Sequence, residues 1–167
     1  MRETPCDCGS GEDFAACSGP YLAGQAAPTA EALMRSRYTA YSRRDEAYLL
    51  RTWHPKTRPA ALDLKEQAIR WLGLKIRSTE AGRPGDTRGV VEFVAEYQAG
   101  GQIERLAERS EFVREPGGWL YVSGMAPAAK PEIGRNEPEL WKEIRAFFRR
   151  KEFATAMLVN ANRERPE

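Results

Sequence analysis

Two alternating segments joined by a glycine pair do most to limit what this chain can fold into. Val90 to Gln98 puts Val91, Phe93, Ala95 and Tyr97 on one face, and Gly100-Gly101 then turns the chain into a longer segment, Gln102 to Arg114. Period-two alternation means one face buried and one face wet, and a Gly-Gly pair at such a junction marks a tight hairpin. Two further segments fit the same scheme. Trp71 to Arg77 lies upstream, before the turn Gly82-Arg83-Pro84-Gly85-Asp86, and Trp119 to Ser123 lies downstream of Pro116-Gly117-Gly118. Successive strands with short turns predict an antiparallel meander.

The first half of the chain has a different period. Pro28 and Thr29 mark a helix start, and Ala30 to about Arg43 carries Leu33, Met34, Tyr38 and Tyr41 on one stripe. A second helix is expected from Asp45 to Thr52, stopped by Pro55, then a loop over 56–62 and a short helix at about 63–70. Residues 125–138 hold three prolines and read as a linker, followed by a last helix over 139–162 striped with Leu140, Trp141, Ile144, Phe147 and Phe148. Helices first and strands second give an α+β fold class. The apolar stripe of the last helix has to dock on something, and a second copy of the chain is one candidate.

Length and composition bound the function. The 167 residues suit one domain with small appendages. A net charge of +2 from interleaved acids and bases offers no strong field for nucleic acid. No run of apolar residues approaches the roughly 18 needed to span a bilayer, so no membrane partner is expected. All three cysteines fall within the first 17 residues, as C-x-C, eight residues, C. An odd, clustered set is a poor disulfide framework and a better metal or redox motif, which places the chain in the cytoplasm.

Cys6 and Cys8 sit one residue apart and can share an ion from a tight turn that Gly9 and Gly11 permit. Ser10 can cap a helix that returns Cys17 to the same ion. The segment Cys6-Asp7-Cys8-Gly9-Ser10-Gly11, with Cys17-Ser18 after it, resembles the SEC-C motif also found at the C-terminus of the translocation ATPase SecA. In that motif a fourth cysteine or histidine follows, where this chain has Ser18. Three outcomes stay open: zinc held by Cys6, Cys8 and Cys17, an open site completed by water, or a knuckle that folds by packing Phe14 and Tyr21. The blocks Leu33-Met34-Arg35-Ser36-Arg37-Tyr38, Thr52-Trp53-His54-Pro55, Trp71-Leu72-Gly73-Leu74, Glu108-Arg109-Ser110 and Trp119-Leu120-Tyr121 resemble, in order, those of the YchJ-like bacterial family. The resemblance implies a SEC-C-like knuckle over 1–24 and an NTF2-like domain over 28–124. In that fold a curved antiparallel sheet wraps helices into a cone with a pocket.

Two charges sit on faces that are otherwise apolar. Arg37 lies amid Leu33, Tyr38 and Tyr41, and Glu108 shares a strand face with Leu106, Ser110 and Phe112. A lone buried charge is costly, so the two are expected to meet. With Tyr38, Trp53, His54 and Ser110 they are the candidate pocket residues. The first functional expectation is a non-enzymatic binding module, its knuckle contacting a protein and its cone holding a small ligand or peptide. The alternative is an enzyme acting on a small molecule with Glu108, Arg37 and His54; the binding reading assigns no catalytic residue.

Overall fold

A computed structural model describes residues 4–127. Thr29 starts the principal helix, its hydroxyl accepting from the Ala32 N–H at 3.0 Å, with Glu31 in the first turn and Arg43 in the last. This helix, α2 (Ala30–Arg43), follows a one-turn α1 (Gly19–Leu22) and ends where Arg44 turns left-handed at φ 59°. Asp45 then caps α3 (Glu46–Arg51) by accepting from the Tyr48 N–H at 3.0 Å. A four-stranded antiparallel sheet follows in sequence order: β1 (Ile69–Ala81), β2 (Arg88–Ala99), β3 (Gln102–Glu115) and β4 (Gly118–Met125).

Gly100 and Gly101, at φ 58° and 80°, make the β2–β3 turn that only two left-handed residues can make. Register slips in β1 between Trp71 and Gly73 and between Ile76 and Ser78, and in β4 at Val122 opposite Glu111 and Phe112, mark bulges that bend the strands. The β2 face bearing Val91, Phe93, Ala95 and Tyr97 is buried against the helices, with Leu33, Met34, Tyr38 and Tyr41 of α2 facing it. The β1–β2 hairpin also seats the start of α2, where the Ala30 N–H donates to the Gly82 carbonyl at 3.0 Å. A parallel bridge from Trp53 to Tyr121 ties the end of α3 to β4. No helix of the described residues is long and apolar enough to cross a membrane.

One expected element is corrected. The helix at 63–70 is a single 3-10 turn, Leu64–Glu66, because Ile69 and Arg70 already pair with Ala99 and Gln98. Pairing there satisfies their backbone along the sheet. The expected last helix, and with it the homodimer it would mediate, lies outside the described residues, as does most of the 125–138 linker.

Candidate metal centre and buried charge cluster

Cys6, Cys8 and Cys17 converge, with their sulfurs all within 4.8 Å of one another. Gly9 at φ 69° and Gly11 at φ 85° supply the turn, and the Cys6 N–H closes it on the Glu12 carbonyl at 2.9 Å. The expected Ser10 helix cap is absent. Phe14–Ala16 is a 3-10 turn with no side-chain cap, and the Ser10 hydroxyl accepts from the Glu12 N–H instead, 3.3 Å from the Cys17 sulfur. Phe14 and Tyr21 pack, half-buried, against the core.

The donor set suits a tetrahedral thiophilic ion. A zinc–thiolate bond of about 2.3 Å puts neighbouring sulfurs about 3.8 Å apart; the Cys8 and Cys17 sulfurs stand 3.5 Å apart. Ser18 is 1% exposed, and its oxygen lies 3.2 Å from the Cys6 sulfur and 3.9 Å from that of Cys17. Burial works against ionising Cys6, but hydrogen bonding at Ser18, the Cys8 backbone and Thr39 outweighs it and brings the thiol down to about 7. Burial pushes Cys17 up to about 11 despite the Ser10 hydroxyl, with the neighbouring cysteines adding to the rise.

The knuckle sits on α2. Arg35 donates to the Cys8 carbonyl at 3.3 Å, Thr39 to the Ser18 oxygen at 3.1 Å, and Arg43 to Asp7 at 2.6 Å while covering the Phe14 ring at 3.6 Å. Positions 35, 39 and 43 follow i, i+4, i+8 and so form one stripe. This docking stripe escaped the sequence reading. Its signal, two arginines flanking a threonine at four-residue spacing, resembles any solvated helix face.

Deep in the cone, Arg37 and Glu108 are each 2% exposed. No direct salt bridge joins them among the described residues; they meet across a shared neighbour, Tyr121, with Ser110 beside it. Arg37 donates at 2.8 Å to the Leu49 carbonyl and at 2.8 Å to the Thr52 hydroxyl, filling acceptors at the end of α3. Glu108 accepts from Ser110 at 2.6 Å and from Tyr121 at 3.3 Å through Oε1, while Oε2 is buried without a hydrogen-bond partner among the described residues. Tyr121 links the two: its hydroxyl reaches Glu108, and its ring stands 4.6 Å from the Arg37 guanidinium, with Trp53 at 5.0 Å. Tyr41 contacts the guanidinium as well. Burial pushes the Glu108 carboxyl up to about 7, against the hydrogen bonds and the Arg37 charge.

Tyr38 is buried beside Trp71, their rings 5.7 Å apart. His54 takes a different direction. Its ring accepts from the Lys56 N–H at 3.2 Å and lies 3.8 Å from Glu115, and no hydrogen bond or ion pair joins it to Glu108 among the described residues. Arg37, Trp53, Glu108 and Ser110 are therefore brought together, and His54 is not.

The sequence profile of the YchJ middle NTF2-like domain matches residues 29–124. A UPF0225 protein of Chromobacterium violaceum is 56% identical over 124 residues, covering 72% of this chain and 91% of its own. One from Streptomyces coelicolor is 50% identical over 125 residues, covering 74% and 97%. Among solved structures, a SEC-C motif containing protein from Rhodopseudomonas palustris superposes with a TM-score of 0.65 at 35% identity, over 74% of this chain and 98% of that one. With an NTF2-like sheet packed on α2 and a SEC-C cysteine cluster docked on the same helix, the chain belongs to the YchJ-like, UPF0225 family.

Proposed function

We propose that this protein is a non-enzymatic binding module whose knuckle holds one zinc ion and presents its outer loop to a protein partner in the cytoplasm. The convergence of three sulfurs within 4.8 Å, with the Ser18 oxygen against them, carries the proposal. Cys6, Cys8 and Cys17 would hold the ion, which would serve as a cross-link that fixes the loop they span. Exposed Glu12 and half-buried Asp13 on that loop suit a basic protein segment better than nucleic acid. The test is elemental analysis with thiol titration. One zinc per chain is expected, with thiols that react freely only after chelation. Reduced protein that carries no zinc, takes none up and shows three freely reactive thiols would overturn it. The partner arm is checked by comparing wild type with Cys8→Ser as bait, where recovery must depend on the intact knuckle.

A second reading, chemistry on a small molecule inside the cone, has one observation in its favour: the buried Glu108 Oε2 has no hydrogen-bond partner among the described residues. A fragment screen read by amide NMR shifts at Ser110 and Tyr121 tests it. Shifts abolished by Glu108→Gln would favour it, and an unresponsive cone would sink it.

A further inference from the structure

We propose that the Ser18 hydroxyl is the fourth metal ligand of the knuckle and that Thr39 of α2 is its positioning residue, so that a helix of the cone sets the metal's affinity and coordination. The proposal rests on the zinc reading above and deepens it.

Ser18 and Thr39 are both essentially inaccessible, at 1% and 0% exposure. A serine hydroxyl offers one donor and two lone pairs. In the thiol form, one lone pair receives the Cys6 S–H at 3.2 Å and the other the Thr39 O–H at 3.1 Å. Metal binding requires Cys6, Cys8 and Cys17 as thiolates, and their three protons leave to solvent. Loss of the Cys6 proton ends the donation to Ser18 and frees the lone pair on the side of the sulfurs. The Thr39 bond remains and keeps the oxygen aimed at the cluster. Ser18 stays a neutral hydroxyl throughout. Thr39 has a second acceptor, the Arg35 carbonyl at 3.2 Å, so its single proton is shared between helix and knuckle. Burial leaves little room for water to take the Ser18 place, because the hydroxyl already occupies it.

Groups that orient a metal ligand typically change affinity by about 10–100-fold when removed. The experiment loads the full chain with Co(II), whose visible spectrum reports ligand type and number, and obtains zinc affinity by competition with a chromophoric chelator. Wild type should give a tetrahedral spectrum with three thiolates. Ser18→Ala should shift the d–d bands and weaken zinc binding by at least about tenfold. Ser18→Cys should raise the thiolate-to-cobalt band intensity from three thiolates to four. Thr39→Val should weaken zinc binding by about tenfold or more, and Thr39→Ser, which restores the hydroxyl, should recover it. Circular dichroism of each variant separates these effects from misfolding; the Ser18→Cys result stands even if Thr39→Val proves unstable. Reduced wild-type protein that takes up no cobalt defeats the zinc reading itself. Cobalt uptake with spectra and affinities unchanged in Ser18→Ala and Thr39→Val overturns the present proposal alone.

Discussion

Glu108 carries its raised proton affinity into the stability of the whole protein. An unfolded glutamate titrates near 4.5, and the folded one is pushed up to about 7 by burial. The folded state therefore binds more protons between those values, so its stability falls as pH rises through that window. The contribution is complete below about 4.5 and gone above about 7. Glu108→Gln removes this slope while keeping a polar group opposite Ser110 and Tyr121. Urea unfolding at pH 4.5 and pH 8 should show the variant gaining roughly 3 kcal/mol on wild type between the two. Gly124 of β4 is the other sensitive residue, since a Cβ there would run into the Glu108 carboxyl. Gly124→Ala should cost roughly 1–3 kcal/mol, and distinctly less in a Glu108→Ala background, read as a double-mutant cycle. Period-two alternation and helical stripes were enough to mark Arg37 and Glu108 as buried. They were not enough to show that Tyr121 stands between them, because which rings fill the space depends on packing between distant strands.

Among the elements, α2 carries two unrelated faces. Leu33, Arg37 and Tyr41 turn to the sheet, and Arg35, Thr39 and Arg43 turn to the knuckle. The apolar face was legible from spacing alone, whereas the polar one reads as solvated until its partners are placed. Arg37 also holds the end of α3, where a helix leaves its last carbonyls unpaired. Arg37→Met should leave the Leu49 carbonyl with only its longer 3.3 Å contact from the Thr52 hydroxyl, strip the Trp53 and Tyr121 rings of their cation, and cost roughly 3 kcal/mol in denaturant unfolding. Thr29→Ala should cost about 1 kcal/mol through the lost cap. The misjudged segment at 63–70 has the same origin as other missed contacts: Ile69 suits either period, and only β2 beside it decides.

At the scale of the molecule, Cys6 and Cys8 belong to the same buried cluster as the residues of the cone. Metal binding should then stabilise more than the loop. Zinc at about a hundred times its dissociation constant adds close to 2.7 kcal/mol, and chelation should lower the single melting transition of the full chain accordingly. Two separate transitions, with only the lower one sensitive to chelator, would mean that the knuckle melts on its own. The order of the sheet has a kinetic meaning too. Each strand pairs with its neighbour in sequence, so the meander can zip from one hairpin to the next. The helices leave the ribosome first, but Arg37 finds the Tyr121 ring only once β4 has emerged. Until then β1–β3 can cover the apolar stripe of α2, but Arg37 lacks the ring that stands against it. A nascent chain stalled before β4 is thus a three-stranded half-shell with its charged side open, and β4 is the stave that shuts it.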